Sequence, residues 1–138
     1  MIYLAGAINK TYEIYCRQWR KLFYKFEVID PIKDKDLNDT YSVDYIYETD
    51  MESVKTCDLI VAELMLNTPY IGTSMELQEA HMTFKDIILI TNKDHYFLNY
   101  IINYSPAGDK PKGMLREKVN NFKDALKLVK IWQNEKNT

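Results

Sequence analysis

The chain has 138 residues, 46% of them hydrophobic and 28% charged, which suits a globular domain with one sizeable core and leaves no room for two. A formal net charge of −2 argues against the basic footprint of a nucleic-acid or membrane-surface binder, and no apolar run approaches the roughly 18 residues that span a bilayer. Cys16 and Cys57 stand far apart and His81 and His95 form no cluster, so neither a disulfide framework nor a metal site is expected. The opening MIYLAGAINK lacks the charged-then-apolar order of a signal peptide. The expectation is one domain over residues 1–138, reduced, metal-free and cytoplasmic, with a small molecule as its partner.

Ile2 to Gly6 is a short apolar run ending in glycine, which predicts a buried strand that stops at a tight turn. From Thr11 to Tyr24, Tyr12, Tyr15, Trp19, Leu22 and Phe23 recur at helical spacing, with Arg17, Arg20 and Lys21 expected outside. Phe26 to Ile29 predicts a second strand, stopped by Asp30-Pro31 because proline cannot extend a ladder. Lys33 to Thr40 is charged and loop-like. Ser42 to Thr56 predicts a helix with Ser42 as N-cap and Val43, Ile46, Tyr47, Met51 and Val54 turned inward.

Asp58 to Leu64 is continuously apolar apart from Glu63 and its first residue, the pattern of a parallel strand covered on both faces. A turn from Asn67 to Gly72 leads into a helix from about Ser74 to Phe84, and Asp86 to Thr91 predicts a fourth strand. Tyr96 to Asn103 reads as a short helix and Ser105 to Gly113 as a loop. Lys118 to Asn120 reads as a fifth strand and Phe122 to Trp132 as a closing amphipathic helix. Strands alternating with helices imply right-handed crossovers and a doubly wound parallel α/β sheet of about five strands with helices on both faces.

Ligands of open parallel sheets bind beyond the carboxyl ends of the strands. That rule selects Gly6 to Lys10 and Leu64 to Glu76. Thr73-Ser74-Met75-Glu76 matches a capping box, in which the Glu reaches back to the Thr backbone. A first-turn Glu also feels the positive end of the helix dipole, which keeps it ionised, and an ionised carboxylate suits covalent catalysis at a sugar carbon. Both readings of Glu76 stay open on spacing alone. Asp50 falls inside an apolar stripe and therefore needs either a backbone or tyrosine partner, or a cleft. Two carboxylates in unlike surroundings would differ in proton affinity. Asp58 begins its strand and reads as structural. Met75, Glu79 and Met82, opposite the inward Leu77, Ala80 and Phe84, face either solvent or another subunit.

Tyr3-Leu4-Ala5-Gly6-Ala7-Ile8, Trp19-Arg20, Val28-Ile29-Asp30-Pro31, and Asp50 through Asp58-Leu59-Ile60-Val61-Ala62-Glu63-Leu64 to Gly72-Thr73-Ser74-Met75-Glu76-Leu77 and Ala80 resemble, in order and spacing over residues 1 to 92, the nucleoside 2-deoxyribosyltransferase family. Its superfamily includes 2′-deoxynucleoside 5′-monophosphate N-glycosidases. The resemblance implies a flavodoxin-like fold and cleavage of an N-glycosidic bond without metal or organic cofactor. It also implies that Glu76 attacks the anomeric carbon, that Asp50 assists as acid and base or holds the sugar, and that Tyr3 orients the Glu76 carboxylate. Gly6, Ala7, Ile8, Asn9, Lys10, Tyr70, Gly72 and Thr73 become the substrate-binding candidates, and a homodimer or larger homo-oligomer with shared sites is implied. The chain departs from the pattern at Ala7-Ile8-Asn9-Lys10, where monophosphate-specific members have a Gly/Arg-rich turn. It departs again at Tyr70, where those members have serine and base-exchanging members often have aspartate.

Overall fold

The computed structural model describes residues 1–38, 43–110 and 112–138, the side chains of 43–45 excepted. Five strands form one parallel sheet: β1 (Ile2–Gly6), β2 (Val28–Ile29), β3 (Leu59–Glu63), β4 (Asp86–Ile90) and β7 (Arg116–Val119), in the order β2-β1-β3-β4-β7. The helices are α1 (Glu13–Lys21), α2 (Val43–Thr56), α3 (Ile71–Met82), α4 (Tyr96–Asn103) and α5 (Phe122–Lys136). This is the flavodoxin-like arrangement expected from the sequence. Chain order reverses between β1 and β3, whose register runs from Ile2 opposite Leu59 to Gly6 opposite Glu63.

Strand alternation assigns the two cores. Tyr3, Ala5, Ile60, Ala62, Ile87 and Leu89 point to one face, under Val54 of α2, Leu77 and Ala80 of α3, and Leu98 and Ile101 of α4. Ile2, Leu4, Leu59, Val61, Ile88 and Ile90 point to the other, against Trp19 and Phe23 and against Ala125, Val129 and Trp132 of α5. Trp19 is core, and its ring stacks on Phe122 with centroids 6.0 Å apart.

Several boundaries move. The first helix is preceded by a 3₁₀ turn at Lys10–Tyr12, where Asn9 caps by accepting from the Thr11 amide. The Ser105–Gly113 loop contains a minimal antiparallel pair, β5 (Tyr104–Ser105) with β6 (Gly108–Asp109). The fifth strand of the main sheet starts at Arg116 and not at Lys118, because Arg116 pairs with Ile87. Arg20, expected outside, is fully buried: its Nη1 donates to the Cys16 carbonyl (2.9 Å), its Nη2 to the Gly6 carbonyl (3.2 Å), and its Nε lies 3.5 Å from Asp30 Oδ1. A charge on the inner side of a helix is tolerated when it is paired in this way. Phe84, expected inside, is half exposed and sits past the end of α3 at a φ of 58°. The expected N-cap Ser42 and the Val43 side chain lie outside the described residues.

Candidate active site

A cavity of about 440 Å³ opens between the carboxyl edge of β1, α2 and the start of α3. Its walls include Gly6, Ala7, Ile8 and Asn9 after β1, Asp50 on α2, and Thr68, Tyr70, Gly72, Thr73 and Glu76 around the start of α3. Of the candidate catalytic and substrate-binding residues, only Lys10 and Tyr3 are absent from that lining. Lys10 sits in the 3₁₀ turn and is exposed at a separate shallow surface pocket. Tyr3 lies beneath the cavity in the core, and its hydroxyl donates a hydrogen bond to Glu76 Oε2.

The local structure around Glu76 differs from the expected cap. Helix α3 begins at Ile71, three residues before the position expected, with Tyr70 at the N-cap position and no side-chain cap bond there. Thr73 lies within the first turn and Glu76 in the second, so the box cannot close, and the carboxyl turns inward to Tyr3. Glu76 is only 7% exposed. Its pKa is pushed up to about 8, chiefly by burial and in part by the nearby Asp50 carboxylate, against the downward pull of the Tyr3 hydrogen bond, Arg20 and Lys35. The expectation that the helix end keeps Glu76 ionised is therefore corrected, because desolvation outweighs the dipole in the second turn. Tyr3 is pushed far above its ordinary value by burial and by the two acids, so it stays a hydroxyl donor.

Asp50 is part-buried on α2 and lines the same cavity. Burial raises its pKa, and Lys35 and Arg20 oppose that rise. The Lys35 ammonium stands 3.9 Å from Asp50 Oδ1. Lys35 arrives there because Arg17 of α1 donates to the carbonyls of Ile32 (2.6 Å) and Lys35 (2.7 Å), while Glu13 steadies the guanidinium at 2.9 Å. The charged segment that reads as a loop thus carries a built turn. No spacing signal marks Lys35.

Glu63 was also missed as a site residue. It ends β3, is 1% exposed, and accepts from Tyr15 through Oε2 (2.5 Å) and from Tyr70 through Oε1 (2.9 Å). A lone acid closing an otherwise apolar strand was the available signal, since buried acids need partners. Gly6 leaves space that a side chain would fill: a Cβ there would lie 2.9 Å from Trp19 Cζ2. Gly72 has open space around it and lines the cavity, so its lack of a side chain keeps that wall low. Among the described residues no group of three or more His, Cys, Asp or Glu side chains is placed to hold a metal, and no helix is long and apolar enough to cross a membrane.

No protein-family model and no curated protein matches the chain. Solved structures do. A 2-deoxyribosyltransferase of Bacillus psychrosaccharolyticus aligns at a TM-score of 0.65 and 17% identity over 90% of this chain and 88% of that one. A 2-desoxiribosyltransferase of Leishmania mexicana aligns at 0.58 and 19% identity over 92% and 94%. The CMP N-glycosidase BcmB of Clostridium botulinum aligns at 0.62 and 22% identity over 94% and 98%. At these identities the likeness is one of architecture, and the chain has the fold on which 2-deoxyribosyltransferases and a CMP N-glycosidase are built.

Proposed function

We propose that the protein breaks the N-glycosidic bond of a 2′-deoxynucleoside or its 5′-monophosphate. The observation that carries this reading is that Glu76 and Asp50 line one cavity of about 440 Å³, within the range of small-molecule sites, while Tyr3 beneath it donates to Glu76. Two structures that share the fold are named for 2-deoxyribosyl transfer, and a third for N-glycosidic cleavage of CMP, a ribonucleotide.

In this reading Tyr3 holds Glu76 Oε2, leaving Oε1 to attack the anomeric carbon. The C–N bond breaks as a C–O ester bond forms, and the departing base takes up a proton from Asp50 or from solvent. Water, or the nitrogen of a second base, then attacks the same carbon and gives up its proton to Asp50 or to solvent, the ester C–O bond breaks, and Glu76 is regenerated as the carboxylate. Water gives hydrolysis; a base gives transfer. The attacking form is the carboxylate, so base release should climb with pH toward the Glu76 value of about 8.

The test is incubation with the four common 2′-deoxynucleosides and their 5′-monophosphates, with and without a free acceptor base, followed by separation of bases and nucleosides. Free or exchanged base from wild type, abolished in Glu76→Ala, is the expected result; no product from wild type, or full turnover by Glu76→Ala, defeats the proposal. A second reading, a non-catalytic nucleotide-binding module, is favoured by the burial of Glu76, which raises its pKa and so disfavours the attacking carboxylate. It predicts a ligand-induced rise in melting temperature with no product.

A further inference from the structure

The segment between β3 and α3 forms one wall of the cavity, through Thr68, Pro69 and Tyr70, and also leads into the helix that carries Glu76. The side chains of Glu63, Tyr70, Thr91 and Lys93 tie this segment down. The Tyr70 hydroxyl donates to Glu63 Oε1 at 2.9 Å and accepts from the Leu66 amide at 2.8 Å. Lys93 Nζ donates to the carbonyls of Leu64 (2.6 Å) and Leu66 (2.8 Å) and lies 5.1 Å from the Tyr70 ring centroid. Thr91 Oγ1 donates to the Leu64 carbonyl at 3.2 Å.

Glu63 joins this arrangement to the opposite layer. Its other oxygen accepts from Tyr15 of α1, which packs on the far face of the sheet, among the residues around Trp19 and Phe122. One buried acid at the end of the central strand therefore receives a hydroxyl from each side of the sheet. A consequence follows for the cavity. With its hydroxyl committed as both donor and acceptor, Tyr70 offers the cavity its ring and no polar tip. A flat or CH-rich part of a ligand, such as a nucleobase or a sugar face, matches that wall.

We propose that Glu63 is a positioning residue that, by holding the Tyr70 hydroxyl, fixes an aromatic wall of the nucleoside site. This rests on the nucleoside reading above. Glu63 does not line the cavity, so its effect on a ligand runs entirely through Tyr70. Releasing the clamp lets the ring sample other rotamers and weakens ligand binding, while the Tyr3–Glu76 contact, anchored in β1 and further along α3, keeps its geometry.

The experiment is calorimetric binding of the four common 2′-deoxynucleosides and their 5′-monophosphates to wild type, Tyr70→Phe, Glu63→Ala, Glu63→Gln and the Glu63→Ala/Tyr70→Phe double variant, with turnover measured alongside. Loss of one hydrogen bond of this kind corresponds to about fivefold to tenfold weaker binding. Tyr70→Phe and Glu63→Ala should each show that loss, the double variant no more than the worse single variant, and Glu63→Gln, which keeps an acceptor for Tyr70, near-wild-type affinity. KM should follow the dissociation constant while kcat holds. Equal affinity in all variants, additive losses in the double variant, or a lowered melting temperature without a change in affinity overturns the assignment. So does failure of wild type to bind any of the compounds. If Glu63→Ala does not fold, Tyr70→Phe against Glu63→Gln decides alone. Tight, clamp-dependent binding without base release would defeat the catalytic proposal and leave this one standing.

Discussion

Replacing Glu76 with glutamine removes the carboxyl that burial lifts from 4.5 to about 8 and leaves a neutral group of nearly the same size. The folded protein keeps the Glu76 proton over a pH range in which the unfolded chain has lost it. Stability therefore falls as pH rises between about 4.5 and 8, at about 1.4 kcal/mol per pH unit, and is fully present only below that window. Across the window the loss is roughly 5 kcal/mol, or 3–6 if the folded value moves by one unit. Asp50, Arg20 and Lys35 remain in the variant, so the difference between wild type and Glu76→Gln isolates this group. Urea unfolding at half-unit steps from pH 5 to 9 measures it: wild type should lose stability relative to Glu76→Gln up to about pH 8 and then run parallel. Parallel curves from pH 5 upward would mean that Glu76 is not held neutral, and the account of its environment would be wrong.

Two further perturbations probe the same neighbourhood. Tyr3→Phe deletes the hydroxyl whose hydrogen bond pulls the Glu76 pKa down, so the alkaline rise in base release should move to higher pH and turnover at pH 7 should fall by about tenfold or more; an unshifted pH profile would remove Tyr3 from the site. Gly6→Ala places a methyl 2.9 Å from Trp19 Cζ2, in a ring already stacked on Phe122, and should destabilise by about 1–3 kcal/mol; a melting temperature equal to wild type would show that Trp19 yields without cost.

The sheet was readable in the sequence because its strands are unbroken apolar runs, and a run such as Ile87 to Ile90 has only one economical place to go, between two helical layers. Asp50 was readable as an exception to pattern, a charge among apolar neighbours, whereas Tyr3 stood out only through the family resemblance. The start of α3 was misjudged because Thr-x-x-Glu spacing describes a local option for the backbone, whereas the choice was made by Tyr3, 73 residues away, which offers the carboxyl a buried partner. Arg20 was misjudged for a related reason. Its position within α1 says nothing of Asp30, which waits after β2 at the correct height. Lys35 and Glu63 depend on contacts that cross layers, and helical or strand period is blind to such contacts.

Tyr3 and Glu76 meet across more than half the chain, and Asp50 comes from a third segment between them. None of the three is near another in an extended chain. Assembly of the sheet through β3 and docking of both α2 and α3 must come first. The carboxyl acquires its unusual proton affinity only at that last stage, so an incomplete fold carries an ordinary surface glutamate. Titration of this single group is thus a built-in report on whether the chain has finished folding, legible even with no substrate in the tube.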